Sequence, residues 1–394
     1  SLLVVFHIIM ADKFTKVHVT NSNLYPRTEV PSLKEIGVEI VAQNFSLYPA
    51  LDGIQPWYKD MIIAQTPVNL PIQITVPHIN QESYWQRACE DKVTGCSHTS
   101  LWRNCRIEQH GFSWKQAYVE TYFEELIALA QDDTKALKKL QQELPAGRND
   151  IFSLRIAKLL PHVDLSMIFC HLRNLSELKV TYGAKHVGMD YDKSLFGMRM
   201  PEAGVFVKCI TPCRSLISLS LPCNLIDDEL MRMLFSGLIM NRSIAQLDLS
   251  HNLIGDQGAK RLAKYLIKTD VLTHLDLTDN QIHYEGSRCI GQALRSNRSL
   301  TFLSLKLNRL NDKAGTKFCI DLAHNNTVSQ LNLSSNSLGP VSCEKISELL
   351  MLMKSLTWLD ISCNPLTEES SEALKASLME NDTLMHLECR NTQM

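Results

Sequence analysis

The sequence predicts an α/β solenoid preceded by a small α-helical domain, and three observations carry that expectation. The first is a recurring pattern, Leu-x-x-Leu-x-Leu-x-x-Asn-x-Ile/Leu, whose starts are Leu216, Ile244, Leu272, Leu300, Val328, Leu356 and Leu384. Each start comes 28 residues after the last, and a fixed period with matched side chains marks stacked repeats. The second is a pair of apolar positions late in each period. Leu234, Leu262, Ile290, Phe318, Ile346 and Leu374 are succeeded four residues on by Leu238, Leu266, Leu294, Leu322, Leu350 and Leu378. Residues four apart share one helix face, so each period holds one strand and one helix. The third is composition: 45% apolar and 21% charged residues are ordinary for a packed globular chain. A period of 28 residues with a full helix is the ribonuclease-inhibitor type of leucine-rich repeat, with parallel strands inside the curve and helices outside.

Ahead of the repeats, Ser1 to Met10, SLLVVFHIIM, lacks the basic start and cleavage site of a signal peptide and is too short to span a bilayer. Met10 is therefore the expected natural start, and residues 1–29 a flexible lead-in. Ser32 with Glu35 three residues later is a capping box, opening a helix with Leu33, Ile36, Val38, Ile40, Val41 and Phe45 on its apolar face. Prolines at 56, 67, 71 and 77 divide the next stretch into short pieces. From Ser113 to Gln131 a helix is expected with Trp114, Tyr118, Tyr122, Leu126 and Leu129 on one stripe, and such aromatic spacing reads as core. The helical Trp-rich domain is placed at 30–146 and the repeat domain at 147–394.

An irregular first repeat begins at Leu175, with helix positions Leu165 and Phe169 before it and Phe206 and Ile210 before the next. Leu175 to Leu216 is 41 residues, 13 more than one period. The excess is assigned to an insertion at 183–200, at the corner between strand and helix, where it is either a contact site or a tolerated surface excursion. At the far end, Thr392 replaces the framework Asn in the last repeat. No polar cap is encoded after it, so a neighbouring subunit is expected to cover that edge.

Strand residues pointing away from the core form the concave face. Two after each start these are Ser218, Gln246, His274, Phe302, Gln330, Trp358 and His386; four after, they are Ser220, Asp248, Asp276, Ser304, Asn332, Asp360 and Glu388. Carboxylates beside Phe302 and Trp358 point to recognition of a basic or mixed helix, against the plainer reading of a solvated face. The candidate partner-binding residues are Gln246, Asp248, His274, Asp276, Phe302, Trp358, Asp360, His386 and Glu388.

Catalytic signatures are absent from the sequence: GDQGAK at 255–260 is a repeat turn rather than a phosphate loop, and no nucleophile elbow or zinc-protease motif occurs. Cys89, Cys96, His98, Cys105 and His110 match no zinc spacing and read as buried thiols. No cofactor or metal is expected. A net charge of -2 offers no bulk attraction to nucleic acid or an anionic membrane, and twelve unpaired-looking cysteines suit a reducing, cytoplasmic compartment. The Asn-x-Ser/Thr sequons at Asn241, Asn297 and Asn332 read as by-products of the repeat pattern.

The runs ESYWQRAC at 82–89, HGFSWKQAYVETYFEELI at 110–127 and LSELKVTYGAKHVGMDYDKSLF at 175–196 carry a resemblance. From about Pro31 onward the chain resembles the leucine-rich-repeat subunits of the nexin-dynein regulatory complex. That resemblance implies a non-enzymatic scaffold of the ciliary or flagellar axoneme, in a complex that links doublet microtubules and regulates dynein. Its partners would be coiled-coil and repeat subunits of the complex. Two other classes remain open. Tryptophans ahead of repeats also resemble F-box adaptors of ubiquitin ligases, and Arg309 would be the candidate finger of a Ran-type GTPase-activating protein.

Overall fold

The computed structural model describes residues 32–95, 100–130, 133–160, 165–184, 192 and 195–392. The lead-in, most of the insertion, Cys96 and His98 lie outside them. The chain divides into two compact units, one of Ser1–Leu129 and Thr134–Phe152, the other of Ala130–Asp133 and Ser153–Met394.

The first unit is helical: α1 (Leu33–Gln43), α2 (Pro56–Gln65), α3 (Ile72–His78), α4 (Glu82–Thr94), α5 (Ser100–Asn104), a 3-10 turn at Ile107–His110, α6 (Trp114–Ala130) and α7 (Thr134–Gly147). The Ser32/Glu35 capping box is present. Only the Val38, Val41 and Phe45 part of the α1 face is buried, Leu33 and Ile36 being exposed. Trp85 and Trp102 are fully buried, and each indole N–H finds an acceptor, the Ile79 carbonyl at 3.1 Å and the Glu125 carboxylate at 3.0 Å. Tyr118 packs 5.3 Å from both rings. The helix α6 departs from the expected single stripe. Leu129 is 52% exposed and Trp114 half-buried, whereas Ala117, Val119, Phe123 and Ile127 are buried. A helix apolar on most sides is a central one, and α6 is the centre of this unit.

The second unit is a nine-stranded parallel sheet in sequential order: β1 (Ser153–Leu159), β2 (Glu177–Tyr182), β3 (Ser218–Ser220), β4 (Gln246–Asp248), β5 (His274–Asp276), β6 (Phe302–Ser304), β7 (Gln330–Asn332), β8 (Trp358–Asp360) and β9 (His386–Glu388). Helices α8 (Leu165–His171), α9 (Met200–Ile210), α10 (Asp228–Leu238), α11 (Asp256–Lys268), α12 (Tyr284–Leu294), α13 (Asn311–Leu322), α14 (Pro340–Leu352) and α15 (Glu368–Glu380) separate them. From β3 on, each strand pairs in register with the residue one period later, Ser218 with Gln246 and Gln246 with His274. The expected helix pair is buried in every repeat except at Leu378, which is half-buried. In α8 Leu165 is buried as expected, together with Ile168, whereas Phe169 is half-buried and meets Phe206 edge-on at 6.4 Å. The strand β1 lies upstream of the repeat pattern and was not expected from it.

What holds the repeats in register is a buried row of asparagines. Asn280 donates its amide to the carbonyls of Leu249 (3.0 Å), Leu277 (3.1 Å) and Thr278 (3.3 Å), and its oxygen accepts the Ile254 N–H at 3.0 Å. It thus satisfies backbone groups of two successive turns that no ladder reaches. Asn252, Asn308 and Asn364 do the same. The residue before each framework Asn, or its counterpart in the last repeat, is left-handed: Cys223, His251, Asp279, Leu307, Ser335, Cys363 and Asn391 have φ between 53° and 58°. A second row lies just after the helices. Asn241, Asn297, Asn325 and Asn381 each accept the N–H groups two and three residues on, and donate to a carbonyl of the preceding repeat 31 residues back. The Ser or Thr two positions later also meets the Asn side chain through its hydroxyl, Ser243 to Asn241 at 3.0 Å, Asn297 to Ser299 at 3.1 Å and Thr327 to Asn325 at 3.2 Å, so these sites spell glycosylation sequons although Asn241 and Asn297 are buried. Carboxylates tie helix starts together as well: Asp228 accepts from the N–H groups of Gly255 and Gly258, and Asp312 from those of Gly339 and Ser342.

Of the insertion, the described base folds back on the end of β2. Gly183 bridges Phe196, and Ala184 N–H donates to the Leu195 carbonyl at 2.8 Å. Gly197, at φ +83°, lies where a Cβ would fall 2.7 Å from the Asn224 carbonyl. That close approach to the first asparagine turn requires glycine.

Candidate partner-binding face

The strands present two parallel rows on the side away from the buried leucines. In the first row Gln246, His274 and His386 are exposed, while Phe302 and Trp358 are half-buried, partly covered by their neighbours. Phe302 stacks on His274 with ring centres 5.7 Å apart and planes 18° from parallel. The His274 Nδ1 also lies 2.8 Å from the Thr273 hydroxyl. Phe302 and Trp358 are not neighbours, because Gln330 of β7 pairs between them.

The second row, at first sight a row of free carboxylates, has structural work as well. One oxygen of Asp248, Asp276 and Asp360 accepts the backbone N–H two residues on, at 2.9, 2.8 and 2.9 Å. This is the local turn that short polar side chains make, and Asn332 makes it too, accepting from Ser334 at 2.9 Å. The second oxygen of Asp248 takes the Ser220 hydroxyl at 2.6 Å. The second oxygens of Asp276 and Asp360 accept no hydrogen bond among the described residues. Glu388 pairs with Arg390 at 2.9 Å.

Three residues outside the expected set extend these rows. Glu177 and Lys179 sit at two and four after Leu175, and Arg155 pairs with Lys179 across β1 and β2. Arg155 reaches Glu177 at 3.6 Å. With Gln246, Asp248, His274, Asp276 and Phe302 they line an open groove of about 420 Å³. The rule that found the other rows would have found Glu177 and Lys179 had it been applied from Leu175. Across the sheet the second row thus runs from Arg155 and Lys179 to Asp248, Asp276, Asp360 and Glu388, basic at one end and acidic at the other.

The face carries aromatic rings, amides and charges of both signs, and on it the Ser220 hydroxyl is held by the Asp248 carboxylate. Arg309 is exposed beside Asn308. Among the described residues no cluster of His, Cys, Asp and Glu has the arrangement of a metal site, and the described cysteines are free thiols. No helix of the described residues is long and apolar enough to cross a membrane.

Comparison with known proteins bears on this geometry. Models described as leucine-rich repeats match residues 241–263, 271–291, 296–319, 324–347 and 355–376. The chain is similar to dynein regulatory complex subunit 5 of Chlamydomonas reinhardtii, 35% identical over 205 residues, which are 52% of this chain and 50% of that protein. The protein of the same name from Mus musculus is 28% identical over 238 residues, 53% of this chain and 46% of that protein. The chain spans about half the length of these curated relatives. Among solved structures, an internalin from Listeria monocytogenes covers 65% of this chain and 70% of its own at 21% identity, with a TM-score of 0.38.

Proposed function

We propose that this leucine-rich-repeat chain is a non-catalytic scaffold subunit of a dynein regulatory complex in the axoneme of cilia or flagella. There it would help link doublet microtubules and regulate dynein through contacts of the repeat array with coiled-coil and repeat subunits. The observation that carries this reading is the similarity, at 35% identity, to a protein named as a subunit of that complex. The strand face supplies a physical means. Its nine strands, spaced about 4.8 Å apart, extend over roughly 40 Å, the length of a helix of about 25 residues. A partner helix laid across them would put acidic residues over Arg155 and Lys179 and basic residues over Asp276 and Asp360, with apolar anchors at Phe302 and Trp358.

The test uses the tagged chain in flagellated cells that lack their own subunit. Retention on washed axonemes and co-purification of other complex subunits are expected; a chain found only in the soluble fraction, without them, overturns the assignment. Phe302→Ala combined with Trp358→Ala is expected to leave the fold intact and reduce retention at least about tenfold, since aromatic anchors dominate interfaces. Undiminished retention of that variant would remove this face while leaving the assignment standing.

A further inference from the structure

The helical unit holds a cavity of about 620 Å³ that has no part in that reading, within the ~300–1,000 Å³ usual for ligand sites. Three helices each give it a pair of residues four apart, and so on one helix face: Ala88 and Lys92 of α4, Tyr118 and Tyr122 of α6, Lys139 and Glu143 of α7. Leu70 and Ile72, where the chain enters α3, add an aliphatic wall.

Two polar groups inside the cavity are unmet. Glu143 is 6% exposed, and its Oε2 accepts the Tyr122 hydroxyl at 2.6 Å. Its other oxygen accepts no hydrogen bond, and the carboxylate meets no cation, among the described residues. Tyr118 is 8% exposed, its ring packed against Trp85, Trp102 and Tyr122, yet its hydroxyl has no hydrogen-bond partner among the described residues. Neither atom is sealed from water, so both open onto the cavity that their residues line. Burial raises both tyrosine hydroxyls above their usual range, and they stay protonated. A buried carboxylate held by one hydrogen bond and no cation is costly, and a ligand that donates to it removes that cost.

The remaining groups narrow the chemistry of that ligand. Lys92 is half-buried, its Nζ 5.7 Å from the ring centres of Trp102 and Tyr122, and the exposed Lys139 lies 5.5 Å from that of Tyr122. Both ammonium groups attract an acid, against the exposed Asp91 beside them. A nucleotide matches these charges but not the rings, because the faces a base would stack on are taken by neighbouring aromatics and by the two lysines. We propose that the cavity binds an extended peptide segment of a partner protein. An aliphatic side chain lies against Leu70 and Ile72, a backbone N–H donates to Glu143, a backbone carbonyl accepts from Tyr118, and an acidic side chain meets Lys92 and Lys139. This occupant is distinct from the helix laid on the strand face, and either assignment can fail alone.

The labelled full chain is applied to an array of hexapeptides in which leucine and glutamate take every pair of positions in a glycine and serine background. A second array carries lysine in place of glutamate, and the affinities of retained peptides are measured by titration. Retention on the glutamate array above the lysine array is expected, and Glu143→Gln should weaken it about tenfold through loss of a charge-assisted hydrogen bond. Tyr118→Phe removes a hydroxyl that bonds nothing else among the described residues, so it should weaken binding about threefold and leave thermal stability unchanged. Lys139→Glu should move the preference toward the lysine array. A glutamate array that retains no more chain than glycine and serine peptides overturns the proposal, as does retention that Glu143→Gln and Lys139→Glu both leave unchanged. Self-association of the chain that Tyr118→Phe weakens, with no peptide retained, would make the occupant a second copy and overturn it too.

Discussion

The two units are held together by opposite means. In the strand unit the same bond is made again and again at a separation of one period: the amide of Asn252 donates to Leu221, that of Asn280 to Leu249 and that of Asn308 to Leu277. In the helical unit each polar bond is made once. Glu120 gathers His110, Gln116 and Phe152, and Trp102 reaches Glu125. Repetition spreads the consequence of a lost bond over one neighbour on each side, as expected where repeats contact only their neighbours. A singular bond places it on a whole unit.

The largest effect is therefore expected at Glu120. Replacing it with Ala strands a buried imidazole and a backbone N–H, and breaking a buried charged pair costs about 3–5 kcal/mol. Hydrogen exchange along α6 would report the loss throughout the helical unit while leaving β4–β7 protected; an effect confined to one turn of α6 would dissolve the contrast between the units.

The pH dependence of the same cluster sharpens it. His110 stands at about 9 in the fold against 6.5 free, so its contribution is full below 6.5 and is lost as pH rises through 9. Cys105 is depressed below 9.0, so its contribution is full above 9.0 and is lost as pH falls through its folded value. The two contributions change with pH in opposite senses, so they offset one another where they overlap. Under Cys105→Ser the opposing contribution is gone and the part of the His110 shift that Glu120 holds remains, so stability is expected to fall as pH rises above 6.5. Exchange rates of α6 measured at several pH values would show it.

Next in size is the asparagine row. Asn280→Ala leaves three carbonyls and the Ile254 N–H without this partner, at a cost of roughly 2–3 kcal/mol, and exchange should rise only in the flanking repeats. Asn336 supplies an internal comparison. Its amide donates to Leu305, Leu333 and Ser334, but its oxygen is buried without a partner. Leu310, the residue whose counterparts donate to this oxygen elsewhere, is helical there at φ -65°. Asn336→Ala should accordingly cost less than Asn280→Ala, and equal chemical-denaturation shifts would show that the carbonyls alone carry the row.

The period made most of the strand unit legible, because a core built from one repeated unit writes its framework at fixed positions. Two things escaped. The strand Ser153–Leu159 precedes the first full pattern, so no period reached it, although Leu154 and Ile156 alternate as a strand should. Of the row Asn241, Asn297, Asn325 and Asn381, only the first two stood out, as glycosylation sequons; the spacing of one or two periods among all four held the physical signal. In the helical unit the aromatic core was legible from composition, but the orientation of α6 was not. With Val119, Glu120 and Phe123 all buried, no single stripe defines its inner face. The meeting of Cys105, His110 and Glu120 depends on a turn at Gly111, whose φ of +60° sends the chain back along α6.

A smaller effect of opposite sign is expected at Leu307. It holds the left-handed conformation at φ 54° with its side chain largely exposed, where Asp279 and Asn391 stand in other repeats. Leu307→Asn should gain about 0.5–1 kcal/mol, since short polar side chains tolerate that region better than branched apolar ones. A loss of stability would mean that the exposed leucine packs across repeats.

The smallest change in stability separates what the strand face does from what the turns need. Asn332 fills the position of Asp276 and Asp360 and makes the same turn, accepting the N–H two residues on. Asp276→Asn and Asp360→Asn therefore keep the turn and remove only the charge, and stability should stay within about 0.5 kcal/mol. If the acidic end of the face receives a basic segment, the double variant should bind it more weakly, most at low salt, where exposed charges are least screened. Equal retention of complex subunits at low and physiological salt would assign these carboxylates to the turns alone. The recognising surface would then reduce to Phe302, Trp358 and the basic end at Arg155 and Lys179.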